Sequence, residues 1–189
     1  MRMFFFIGDG IGDLPLNELN DKTPLEYANT PAMDTISQRG ANGLFLPYSY
    51  GTLPKGASVI MSFLGLDPLK IRRGALEAIG AGIELSPGDV ALLGRFAHLD
   101  EQGRLVEIAE WDVEEGPALA AELDEYHPVS VPGVSIRVKY TAGNKVSIVI
   151  KGEGLSPNVS DLKSSPGLPI EKARPLDGRP ETIKTMKIV

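Results

Sequence analysis

Two alternating runs joined by a short polar turn constrain this chain more than any other feature. Val134-Ser135-Ile136-Arg137-Val138-Lys139-Tyr140 alternates apolar and polar side chains, Thr141-Ala142-Gly143-Asn144-Lys145 interrupts it, and Val146-Ser147-Ile148-Val149-Ile150 returns. A period of two sends successive side chains to opposite faces of a strand, and a turn carrying Gly and Asn reverses it, so the pattern dictates a β-hairpin. Asp89 to Leu99 is also strand-like, Asp100-Glu101-Gln102-Gly103 is a turn, and Arg104 to Ile108 returns as a strand, giving a second hairpin. Between the hairpins Gly116 to Tyr126 is rich in Ala and Glu with Leu119, Ala120 and Leu123 at helical spacing, which predicts a helix.

The first third reads differently. Residues 2–8 are apolar apart from Arg2 and predict a strand covered on both faces, with Phe4-Phe5-Phe6 in the core, as Trp111 is expected to be. The run Met3–Ile7 falls far short of the roughly 20 residues of a membrane span, and of the ~7–15 of a secretory core. Thr30 as a cap, Pro31 at the first helical position and Gly40 as a stop predict a short amphipathic helix; 42–46 reads as a second strand and 58–64 as an apolar helix. From Gly152 onward Pro, Gly and Ser predict mostly loop, with a last helix or strand in 181–189.

Composition narrows the function. Nineteen Lys and Arg against 25 Asp and Glu give a net charge of −6, which argues against nucleic acid or an anionic membrane as partner. The absence of cysteine excludes disulfides, thiolate metal sites and a thiol nucleophile, and His98 and His127 are too few for a histidine-rich centre. Both histidines read as structural. The expected setting is cytoplasmic.

Three clusters hold chemistry. Asp9, in Gly8-Asp9-Gly10-Ile11-Gly12-Asp13 at the end of the first strand, offers a carboxylate where α/β proteins bind ligands and suits Mg²⁺ or Mn²⁺, or else simply stabilises a glycine turn. Thr52 and Ser58 flank a helix start and are hydroxyl nucleophile candidates without a visible base; a helix cap by Ser58 is the plainer alternative. Lys70, Arg72 and Arg73 form a cationic cluster suited to a phosphate or carboxylate, or a solvated surface turn.

Several of these stretches together resemble the archaeal-type cofactor-independent phosphoglycerate mutases of the alkaline phosphatase superfamily. The residues that carry the likeness are Asp9-Gly10-Ile11-Gly12-Asp13, Lys22-Thr23-Pro24-Leu25-Glu26, Leu64-Gly65-Leu66-Asp67-Pro68, and above all Arg73-Gly74-Ala75-Leu76-Glu77-Ala78 running on to Ile83-Glu84-Leu85-Ser86-Pro87-Gly88-Asp89. The resemblance implies an α/β fold: a partial phosphatase-type sheet in 1–71, an inserted α+β domain with antiparallel hairpins in 72–175, and a tail, 176–189, returning toward the first domain. It implies a glycolytic isomerase that moves a phosphoryl group between the 2- and 3-positions of phosphoglycerate through a serine and two divalent metals, Mn²⁺ or Mg²⁺.

Carried over residue by residue, the resemblance makes Asp9 a metal ligand and Arg73, Arg95 and Lys145 substrate-binding cations; Arg95 and Lys145 stand in segments that depart from the family's usual Arg-Cys-Asn and Gly-His-Arg. Gly56 occupies the position of the nucleophilic serine, with Ser58 as the fallback, and Ala57 and Ile60 replace a neighbouring aspartate and histidine. Family members are about twice as long. The expectation is therefore a truncated family protein, weakly active or inactive alone, with metal weakly held or absent, a phosphorylated small acid as ligand, and a homo-oligomer or a complex with another chain. The alternatives are a non-catalytic binding or regulatory module, or one half of a split metal-dependent phosphomutase.

Overall fold

The computed structural model describes residues 2–46, 56–67, 69–108, 115–162 and 164–189. It divides into two compact units, Met1–Leu46 and Pro47–Val189.

In the first unit, the Pro24–Tyr27 helix (α1) starts on a reciprocal cap. The Glu26 N–H donates to Thr23 Oγ1 at 3.2 Å, and the Thr23 N–H donates to Glu26 Oε2 at 2.8 Å. Helix α2, Pro31–Arg39, has Pro at its first position and ends at Gly40, as the sequence indicates. Thr30 does not cap it: its hydroxyl donates to Asp34 Oδ1 at 3.1 Å instead. The strands expected at 2–8 and 42–46 belong to no sheet, and the aromatic run expected in the core is exposed, Phe4 at 75% and Phe6 at 87%. A strand apolar on both sides needs partners at its edges and cover on both faces. No residue of 2–46 is buried, so nothing described in this unit supplies that cover.

The second unit is built on the hairpin that the alternation announces. Strands β1 (Val90–Arg95), β4 (Val134–Ala142) and β5 (Lys145–Gly152) form an antiparallel sheet in the order β1-β5-β4. Strands β2 (Ala97–Leu99) and β3 (Leu105–Ile108) form a separate two-stranded ladder. The single strand expected over 89–99 is thus two, broken at Phe96, whose N–H donates to Asn144 O at 2.9 Å.

Register sorts the side chains of the larger sheet. On one face Val90, Val134 and Ile150 meet Val131, Leu155, Ile188 and Val189, while Val138 and Val146 meet Ala120 of helix α5, Glu115–Leu123. On the other face Ala91 and Val149 meet Ala78 of helix α4, Arg73–Gly80, together with Ile83. Each buried Val or Ile contributes about 1.5–3 kcal/mol. A Cβ on Gly74 would run into the Ala91 carbonyl and one on Gly116 into the Tyr140 ring, so both helices approach the sheet at glycine.

The final helix, α6 (Pro180–Met186), docks through hydroxyls. Thr182 Oγ1 donates to Ser156 Oγ at 3.0 Å and the Ser156 N–H donates to Thr185 Oγ1 at 2.9 Å, all three residues buried. Among the described residues no helix is long and apolar enough to cross a membrane.

Candidate anion-binding site

Arg95 ends β1 and Lys145 begins β5, directly opposite each other in the antiparallel register. The short β4–β5 turn places them there. Gly143 adopts φ 58°, which a tight reversal requires, and the Phe96–Asn144 hydrogen bond closes the strand end behind it. The Thr141 hydroxyl donates to Lys145 O at 3.2 Å and fixes the first residue of β5. Opposed residues have Cβ atoms about 4.5–5.5 Å apart, so two like charges repel and the pair is ready for an anion.

The other cations of this sheet are engaged. Arg137 grips Asp124 with Nε–Oδ1 at 2.8 Å and a second nitrogen on Oδ2 at 3.0 Å. Lys139 Nζ reaches Ala81 O at 3.4 Å, and Lys151 Nζ donates to Glu84 O at 2.8 Å and pairs with Asp89 at 3.3 Å. Among the described residues, Arg95 and Lys145 make no ion pair. Two residues along the same face of β5, Ser147 is fully buried and its hydroxyl has no described partner.

Arg73 is placed apart. It opens α4, bonds Glu77 at 3.2 Å within the helix, and precedes Gly74, which touches the backbone at Ala91. Ala91 lies four residues, about 13 Å of strand, from Arg95. The expected trio therefore resolves into one adjacent pair and one helix-bound arginine. Lys70 pairs with Asp67 at 3.6 Å. The surface turn read around Arg73 is in fact the start of a helix.

Asp9 sits in an exposed turn whose next residue, Gly10, has φ 72°; it belongs to the other unit. A divalent cation takes about six oxygen ligands, and among the described residues no three His, Asp or Glu side chains gather. Asp9 by itself does not fit the two-metal centre that the resemblance implies. Helix α3, Gly56–Phe63, starts two residues before Ser58. Thr52, Lys55, Trp111 and the Ser58 side chain lie outside the described residues.

His127 Nδ1 lies 3.3 Å from Val134 O, a structural tie, while His98 stands opposite Glu107 across β2–β3. Sequence reading missed Asp124. This carboxylate also accepts the Val138 N–H at 2.9 Å, and the Arg137 hydrogen bond, against the opposing effect of burial, lowers it to about 2. Thirteen positions separate the partners, and the only sequence signal is an acidic residue at the end of an Ala-rich helix followed by an arginine in an alternating strand. Two open grooves of about 490 and 440 Å³ lie along 127–135 and beside α6; neither is lined by Arg73, Arg95 or Lys145.

Residues 37–189 match the family model for 2,3-bisphosphoglycerate-independent phosphoglycerate mutase. The protein of that name from Ignicoccus hospitalis is 39% identical over 100% of this chain and 47% of its own length, and that from Saccharolobus islandicus is 36% identical over 100% and 46%. A solved cofactor-independent phosphoglycerate mutase from Thermoplasma acidophilum superposes with a TM-score of 0.56 at 30% identity, covering 95% of this chain and 47% of that one. The chain spans about half the length of the curated relatives it matches.

Proposed function

Because this chain belongs to the 2,3-bisphosphoglycerate-independent phosphoglycerate mutase family, we propose that it binds phosphoglycerate, a phosphorylated small acid, through Arg95 and Lys145. The observation that supports this is their register: two cations held side by side with no described carboxylate to answer them. A phosphomonoester dianion or a carboxylate would neutralise both, and Arg offers a planar fork where Lys offers a point charge. The binding element belongs to the inserted domain, 72–175, between the 1–71 domain and the 176–189 tail, in a cytoplasmic setting.

The chain's own turnover of 3-phosphoglycerate to 2-phosphoglycerate is weak or nil. Gly56, at the position the resemblance gives to the nucleophile, has no side chain to accept a phosphoryl group. That residue favours a second reading, in which the chain works as a non-catalytic binding module. The same residue weighs against half of a split enzyme, since this chain would be the one to supply the serine.

Titration calorimetry with 3-phosphoglycerate tests the binding. A measurable affinity that Arg95→Ala or Lys145→Ala each weakens by about tenfold or more is expected. No binding to the native chain overturns the reading. An enolase-coupled assay with Mn²⁺ or Mg²⁺, run beside Gly56→Ser and Asp9→Ala variants, tests the activity. Turnover by the native chain that Asp9→Ala abolishes would overturn the inactive reading and return Ser58 and a metal to the mechanism.

A further inference from the structure

We propose that Lys139 and Ser147 complete the site of Arg95 and Lys145, and that the group this site takes is the phosphate of phosphoglycerate rather than the carboxylate. The inference rests on the reading above, that the cation pair binds phosphoglycerate, and adds which end of the ligand is held and by which further residues.

Register puts the four side chains together. Ser147 stands opposite Leu93 on β1 and opposite Lys139 on β4. Opposed residues of an antiparallel ladder share a face, and β5 pairs with β1 from Lys145 to Ile150 without a break, so Arg95, Lys145, Ser147 and Lys139 all lie on one face of the sheet. Lys139 is diagonal to Lys145, a spacing of about 7–8 Å that long side chains bridge. Helix α4 packs on this face, and its one carboxylate, Glu77, is bonded to Arg73 at 3.2 Å.

The fold leaves two of these groups unspent. Ser147 is fully buried and its hydroxyl has no partner among the described residues, a condition that destabilises a protein and points to a ligand that answers it. Among the described residues Lys139 Nζ has only the Ala81 carbonyl, at 3.4 Å, whereas Lys151 on the same face holds a carbonyl at 2.8 Å and Asp89 at 3.3 Å. A neutral carbonyl leaves the Lys139 charge uncompensated. Turning it from Ala81 toward an anion exchanges one long hydrogen bond for a charge-assisted one.

Charge then selects the group. A phosphomonoester carries about two negative charges near neutral pH on three strong acceptor oxygens, where a carboxylate carries a single charge on two. Three cations and a hydroxyl donor match the first and overcompensate the second. The phosphate sits between Arg95, Lys145 and the turned Lys139, where it accepts from the Ser147 hydroxyl.

Titration calorimetry on the full chain compares 3-phosphoglycerate, inorganic phosphate and glycerate. The first two should bind in competition, and glycerate should displace neither. Lys139→Met should weaken both by about tenfold or more and flatten the salt dependence. Ser147→Ala should weaken both by about threefold or more without lowering the melting temperature, a combination that a merely structural serine does not give. Undiminished affinity in either variant, or displacement of phosphate by glycerate, overturns this inference and leaves the Arg95 and Lys145 reading standing. Phosphate binding that both variants weaken, with no binding of 3-phosphoglycerate, overturns the proposed function and leaves the phosphate site. A native chain that binds neither overturns both.

Discussion

On the proposed function, Arg95 and Lys145 would tie binding to stability in opposite directions. Each repels the other across β1 and β5, so Arg95→Glu should stabilise the ligand-free protein by about 0.2–1 kcal/mol at low salt while abolishing phosphoglycerate binding. Paired melting and titration measurements check both halves of that expectation. Asp124 behaves otherwise. Held near 2 chiefly by the Arg137 hydrogen bond, it adds stability that is present above the ordinary carboxylate value of 3.8 and is lost as pH falls through about 2. With allowance for partial solvent screening, its loss costs about 1–2 kcal/mol, and Asp124→Asn should flatten the acid limb of urea-unfolding stability between pH 4 and about 2. Ser147 carries the reverse lesson: its buried hydroxyl has no partner among the described residues, so Ser147→Ala should be neutral or stabilising by up to about 1 kcal/mol in urea melts. The family resemblance pointed to the cations, but only folding tells which are spent on carbonyls and carboxylates and which remain available.

Among elements, the hairpin β4–β5 was legible because alternation and a Gly-Asn turn are local, and both survive packing unchanged. Helix α5 was legible for the same reason. The break at Phe96 was not, since residues 89–99 keep a strand-like pattern on both sides of it and the choice of partner is made by β5, some 50 positions away. Helix α4 hid behind Arg72-Arg73-Gly74, which read as a turn; the glycine there serves close approach to β1. Gly74→Ala should therefore cost about 1–3 kcal/mol by driving the helix off the Ala91 backbone, measured as a lowered denaturant midpoint with an unchanged slope.

For the molecule as a whole, the mixed α/β class and the family were readable from the order of many short stretches, whereas the paired sheet expected in 1–71 was not formed by the described residues. A sheet strand is defined by neighbours, and a run such as Met3–Ile7 specifies only that it wants them. In the second unit the sheet is covered on both faces, with Ile188 and Val189 packed against one of them. Because the proposed anion between Arg95 and Lys145 would remove a repulsion that only the folded chain experiences, ligand and fold would be thermodynamically linked. The melting temperature then becomes a reporter of which ions surround the protein: phosphate should raise it where the same ionic strength of chloride merely screens, so a buffer exchange is itself an assay for the ligand class.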